Sequence, residues 1–477
     1  MRRPTHGLLF LTLLTVAACE RQEIATSPQP PLQPTGPLAD FQTALDMSSV
    51  NPDPLSGGAT TVFDSSAGAF GLPAPNLDAT ALAQHTRGDV AFDQDFVAAP
   101  GLPNSGLGPL FNNNSCSACH VGDGRGQPPA PGQPFTTMLF RASIPGSDAV
   151  GGPKPAGQFG GQLQLMAIPG FTAEASAQVF YVDSFGRFGD GTRYSLAVPH
   201  YSFAGNIGPL PGNLLTSPRV APVNFGLGLL RAIPEATLNQ LADPFDNNHD
   251  GISGRVNTVF EATIQRYVVG RFGWKANVGT LTQQTAGAYN GDMGVTTALF
   301  PAENCEGEFT GCARHAPEIS SQTVDDVAFY TATLGVPARR NINDPTTQLG
   351  EAVFKAAGCG SCHTQTLTTG VLAGVPSVSN QRIHAYTDLL LHDMGAGLAD
   401  NRPDFDANGR EFRTPPLWGV GLIHTVNGHT TFLHDGRARN LEEAVLWHGG
   451  EGTNARERFK SFPANYRRAL VAFLQSL

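Results

Sequence analysis

CSACH at Cys116–His120 and CGSCH at Cys359–His363 decide how this 477-residue chain is read. The CxxCH spacing is the signature of covalent c-type haem attachment. Its two thiols form thioethers with the vinyl groups of one haem, and the adjacent His falls beneath the iron as proximal ligand. A single pentad also fits half of a zinc site. Two of them, with no further Cys or His group at zinc-like spacing, point instead to two covalently bound haems c. On this reading Cys116, Cys119, Cys359 and Cys362 hold the haems, and His120 and His363 bind the irons.

A weak internal repeat surrounds the motifs. Phe111 stands five positions before Cys116 in GPLFNNNSCSACH, and Phe354 five before Cys359 in GEAVFKAAGCGSCH. Downstream come two Pro-rich loops, SPRVAPVNFGLGLL (Ser217–Leu230) and RTPPLWGVGL (Arg413–Leu422). Each unit then closes on a stretch with apolar residues at helical spacing, TVDDVAFYTATL (Thr323–Leu334) and ANYRRALVAFLQSL (Ala464–Leu477). Helix, CxxCH, loop and terminal helix is the order of a cytochrome c domain. The expected fold is therefore mainly α, with two tandem cytochrome c-type haem domains over 39–340 and 341–477, meeting near Val336–Arg340. A loop- and strand-containing insertion, roughly 121–215, enlarges the first. Its runs QLQLMAIPG and SAQVFYVDS read as short strands or hairpins.

The opening MRRPTHGLLFLTLLTVAAC has a basic start, a short apolar core and small residues before Cys19. It reads as a signal peptide over 1–19, and Val16-Ala17-Ala18-Cys19 resembles a lipobox that would place a lipid on Cys19. An ordinary cleaved signal is the alternative. Residues 20–38 form a Pro-rich tether. No later segment is apolar enough to span a bilayer, so the expected place is the periplasmic side of a bacterial membrane, held by lipid only, or free in the periplasm. Cys305 and Cys312 then remain, as a small-loop disulfide or as two buried thiols. A net charge of −10 argues against nucleic acid and suits a small basic redox partner.

DPFDNNHDGISGRVN (Asp243–Asn257) has the look of a calcium loop. Asp246, Asn248 and Asp250 alternate as oxygen donors, Gly251 permits a sharp turn, and Ile252 offers a carbonyl. Asn257 stands where an EF-hand has its bidentate Glu. An Asx-rich turn without metal is the competing reading.

The stretches SPRVAP, GLGLLRAIPE, DNNHDGISGR, GRFGWKA, LLLHDMG, EFRTPPLWGVGL and FLHDGRARNLEEAVLWHGGE run from about Gly106 to the end. Through them the sequence resembles the bacterial di-haem cytochrome c peroxidase and MauG superfamily, most closely its di-haem oxidoreductase branch, also labelled thiol oxidoreductases. The resemblance implies reaction of peroxide at the N-terminal haem. It also implies electrons from a small cytochrome c or cupredoxin that enter at the C-terminal haem, with Trp274 carrying them between the two. Glu235, and Glu174 after it, are the carboxylates expected over the reactive haem as acid–base groups. No His or Met follows His120 before Met138, so this haem is expected to be five-coordinate or to take Met138, Met166 or His200. In relatives a Met stands fourteen positions after the His of the FHDG-like motif. Counting from His434, that position here is His448, the expected second ligand of the C-terminal haem. Met394 competes with it, as do His392, His424, His429 and His434. Two other functions fit the same resemblance: a di-haem electron carrier, and a MauG-like oxidase that modifies a partner protein.

Overall fold

Two helix pairs, built alike, carry the two haem motifs. The computed structural model describes residues 45–304 and 317–477. The expected signal, tether and lipid-bearing Cys19, and the Cys305–Cys312 pair, lie outside the described residues. The helices that matter are α1 (Ala79–Phe92), α2 (Leu227–Ala232), α3 (Leu281–Met293), α4 (Ser321–Thr333), α5 (Pro345–Ala356), α6 (Leu441–Trp447) and α7 (Ala464–Ser476). Side chains at the caps fix several starts. Asp78 accepts from Ala81 N–H, Ser320 from Thr323 N–H, and Asp344 from Thr347 N–H with Pro345 at the first helical position. Among the described residues no helix is long and apolar enough to cross a membrane.

α1 packs on α4, and α5 packs on α7. A glycine lies at each crossing. A methyl group on Gly88 would overlap the Asp326 carbonyl, and one on Gly350 the Ala469 carbonyl. Each glycine lies one turn before a phenylalanine that meets the ring of a haem-motif histidine. Phe92 lies 6.2 Å from His120 and Phe354 6.3 Å from His363, between ring centroids. This corrects the pairing read from sequence. Phe111 sits in a two-residue strand against Met166–Ala167. Phe92 is the true counterpart of Phe354, and the long connection 93–115 hides the match by breaking the fixed spacing.

The close approach at Gly350 has a measurable consequence. Gly350→Val should destabilise the protein by about 1–3 kcal/mol or more through overpacking. Gly212→Ala, which meets nothing within 4 Å, should leave the melting temperature nearly unchanged. Thermal denaturation of the two variants checks this.

Strands are more prominent than a mainly α reading allows: 30% of the described residues are helical and 19% are strand. They concentrate in the expected insertion. β1 (Met138–Ser143), β2 (Gln162–Leu163), β3 (Ala175–Arg187) and β4 (Arg193–Gly205) are its main strands, and β5 (Leu215–Val220) runs on from it into the stretch read as the first Pro-rich loop. β1 is flanked by β2 and β5 in an antiparallel sheet, and β3 and β4 form a hairpin of thirteen residues a side. Phe140 of β1 and Val220 of β5 bury into one apolar cluster with Trp274 and Phe412. Val336–Pro337, in the stretch read as a domain boundary, is buried and pairs in parallel with Thr61–Val62.

Candidate functional site: two cavities joined at a tryptophan

Each CxxCH motif walls a cavity, of about 350 Å³ at Cys116, Cys119 and His120 and about 340 Å³ at Cys359, Cys362 and His363. Both lie within the usual size range of cofactor pockets. None of the four cysteines is paired in a disulfide. In the first motif Ser115 caps a single helical turn, Cys116–Cys119, by accepting from Ala118 N–H. Backbone carbonyls then orient the histidines. His120 Nδ1–H donates to the Pro222 carbonyl at 2.7 Å, and His363 Nδ1–H donates to the Tyr386 carbonyl at 2.9 Å. That bond fixes the tautomer and leaves Nε2 with its lone pair free for a metal. Burial lowers the pKa of both rings, that of His363 to about 4, and so favours the neutral, ligating form.

Across the C-terminal cavity, His448 faces His363 with ring centroids 6.5 Å apart. Its Nδ1–H donates to the Ala444 carbonyl at 2.8 Å, so its Nε2 is also left free. A metal held at about 2.0 Å by each of two imidazoles needs centroids roughly 6.3 Å apart. The remaining candidates are differently engaged. His392 is held at both ring nitrogens, by Asp388 at 2.9 Å and Glu451 at 2.6 Å. His434 lines the cavity but stacks on Phe412 at 4.1 Å. His424 is exposed, and His429 bonds the Arg125 carbonyl; neither lines the cavity. Met394 does line it.

The N-terminal cavity is different. Its only lining histidine among the described residues is His120. Met138 lines it, with its side chain in the cluster around Phe140 and Val220. Met166 and His200 do not line it. Met166 sits in the short strand opposite Phe111, and His200 stacks on Phe180 in the hairpin at 4.9 Å. The two expected carboxylates are also elsewhere. Glu235 is exposed in the first turn of its own helix, where it complements the helix N-terminus. Glu174 is buried, but accepts from Gln164 N–H at 2.8 Å and lies outside the cavity wall. Among the described residues the one carboxylate that lines this cavity is Asp292, on α3, with Gln284 two turns before it on the same face.

Trp274 lines both cavities. Its Nε1–H donates to the Val220 carbonyl at 2.9 Å, and its own carbonyl accepts Arg413 N–H at 2.8 Å. The Arg125 guanidinium sits 5.1 Å from its ring centroid. Arg125 and Arg413 also line both cavities, and Arg141 and Arg271 line the N-terminal one. None of the four forms an ion pair among the described residues. Burial pulls Arg125, Arg271 and Arg413 down to about 10. Uncompensated guanidiniums on a cavity wall call for an anion, and each haem carries two propionates. The residues present therefore fit the group: thiols, a presented Nε2 and unpaired cations meet at each motif.

The Asx loop closes on itself. Asp246 accepts from Gly251 N–H, Asn248 from Asp250 N–H and Asp250 from Ile252 N–H. Asp250 and Ile252 line the C-terminal cavity. Ser253 Oγ donates to Glu451, the residue that holds His392.

A family model described as "Di-haem oxidoreductase, putative peroxidase" matches residues 52–142 and 212–477. The chain belongs to the di-haem oxidoreductase family. The gap between the matched stretches, 143–211, holds the β3–β4 hairpin of this di-haem oxidoreductase. No curated protein matches it. Among solved structures it is similar to a MauG-like protein associated with microbial copper homeostasis, at 18% identity over 54% of this chain and 88% of that one, with a TM-score of 0.27.

Proposed function

We propose that this di-haem oxidoreductase reduces peroxide at the N-terminal site with electrons that enter at the C-terminal site. One observation carries the reading: Trp274 walls both cavities, and among the described residues only one of the two has a second imidazole facing its motif histidine. Each haem, when bound, supplies a redox-active iron whose behaviour follows from axial ligands and burial. Cys116 and Cys119, and Cys359 and Cys362, hold the groups by thioethers. His120 and His363 are the proximal ligands and His448 the second ligand at the C-terminal site. A His/His pair there gives a lower potential than His/Met. Asp292 replaces Glu235 and Glu174 as the acid–base group, since a group that moves a proton must reach the reacting atoms.

The test is peroxide consumption with a reduced small cytochrome c or cupredoxin as donor. Trp274→Phe should slow electron transfer between the sites at least tenfold, roughly a 1.4 kcal/mol rise in barrier, while both haem spectra stay unchanged. Turnover that ignores this substitution would sink the route, and no turnover of peroxide by wild-type protein would sink the activity. The attachment has its own check. Denatured wild-type protein should retain the mass of two haems, and Cys359→Ala should weaken attachment at one site only.

The signal-like and lipobox-like opening supports a periplasmic place for the enzyme, held to a membrane by lipid at Cys19 or free in the periplasm. The loop at Asp246, Asn248, Asp250 and Ile252 is read as a structural calcium site that steadies the wall of the C-terminal cavity. Added calcium should raise the melting temperature of metal-stripped protein by a few degrees, and Asp246→Ala should remove that rise. Calorimetry with and without chelator distinguishes this from a metal-free turn.

A further inference from the structure

The helices that wall the two cavities keep one register. α3 is capped by Thr280, which accepts from Gln283 N–H, and α6 by Asn440, which accepts from Glu443 N–H. One residue past the caps stand Leu281 and Leu441, four past stand Gln284 and Ala444, and eight past stand Ala288 and His448. All six line their own cavities. Trp274 and His434 each stand six residues before a cap and line a cavity too. Their carbonyls are held crosswise: Trp274 by Arg413 N–H at 2.8 Å, and His434 by Val220 N–H at 2.9 Å, from the Pro-rich loop of the opposite half. The helix pairs behind the motifs repeat as well, down to Gly88 with Phe92 and Gly350 with Phe354. The correspondence thus runs through sequence register, capping and hydrogen bonding, with no gap between position 274 or 434 and position 288 or 448.

We propose that Ala288 holds, in the N-terminal site, the position that His448 holds in the C-terminal site. The size of this one side chain decides which site reacts. His448 reaches across its cavity to within 6.5 Å of the His363 ring. A methyl group at the same position reaches no further than Cβ and has no lone pair to offer. A haem held by His120 would then receive no second ligand from position 288. On the same helix face Gln284 lies one turn before Ala288 and Asp292 one turn after it, and both line the cavity. An amide and a carboxylate on either side of a vacated position suit a ligand of two or three heavy atoms that both donates and accepts hydrogen bonds, the class to which peroxide belongs. The inference rests on the reading above that both cavities hold haem.

The experiment uses full-length ferric holoprotein, with cyanide as the probe and haem content fixed by mass. Wild-type protein should bind cyanide at one site. Ala288→His should turn that site into a second low-spin bis-imidazole centre, and weaken cyanide binding about 100-fold because the internal ligand competes at high effective concentration. Ala288→Leu fills the space without supplying a ligand. It should keep the high-spin signal and weaken cyanide binding about tenfold or more. His448→Ala should do the reverse and open the C-terminal site to cyanide. Two haems in every variant, with cyanide bound at position-288 variants as tightly as in wild type, would overturn the assignment of Ala288 and leave the di-haem reading standing. Fewer than two haems in wild-type protein would overturn both.

Discussion

Asp292→Asn should cost the enzyme about 10²–10⁴ in peroxide turnover, the usual contribution of a positioned acid–base group. The amide keeps the size of the side chain and its place beside Gln162, whose Nε2–H bonds the carboxylate at 2.8 Å. It cannot take up and return a proton. The loss should therefore fall on turnover, with haem content and the spectrum of the C-terminal site unchanged. Glu235→Gln is the matched control. Glu235 is exposed and lies outside both cavity walls, so its neutralisation should change turnover less than about twofold. Steady-state peroxide assays on the two variants, at one donor concentration, separate the carboxylate that resemblance suggested from the one the cavity presents.

His448→Met should raise the potential of the C-terminal haem by on the order of 0.1 V, within the roughly 0.8 V range that axial ligands span. Imidazole is the stronger donor to ferric iron, and thioether favours the ferrous state. The substitution should also introduce a methionine–iron charge-transfer band at the red end of the visible spectrum. The C-terminal site would then be a weaker reductant for the N-terminal one, and turnover should fall even though the reactive cavity is untouched. Spectroelectrochemical titration checks the shift. A band of this kind already present in wild-type protein, and lost in Met394→Ala, would assign the ligand to Met394 instead.

What the sequence discloses and what it hides follow from distance along the chain. The CxxCH pentads are local, and each places its thiols and its histidine on one short turn. The Pro-rich loops are recognisable, and the first supplies the Pro222 carbonyl to His120; the Tyr386 carbonyl that holds His363 lies outside the second, which bonds the neighbouring Ala385 carbonyl through Leu417 N–H. Trp274 was marked by resemblance, and it does wall both cavities. Phe92 was hidden because a connection of variable length separates α1 from its motif. Asp292 was hidden for another reason: it looks like any polar residue near the end of a helix until the fold turns that face of α3 inward. The register from the Thr280 cap is the one signal that points to it, and reading it requires knowing that α3 and α6 correspond. Arg271 and Arg413 lie in the quoted stretches GRFGWKA and EFRTPPLWGVGL and Arg125 in none, but no spacing marks any of the three as a cavity residue; their meaning lies in the carboxylates they lack. Glu235 misled because it is acidic and near a Pro-rich loop, whereas its helix turns it to solvent.

Two inequivalent haem sites in one chain, one closed by His448 and one open, are the centre of the proposed function. The most direct test is electron paramagnetic resonance of the ferric protein, matured in a host competent for cytochrome c and with haem content fixed by mass. Two haems should be present, giving one low-spin bis-imidazole signal and one high-spin signal in equal amounts, and peroxide should react at the high-spin centre. Two low-spin signals that ignore peroxide, both as isolated and after half-reduction, would contradict it.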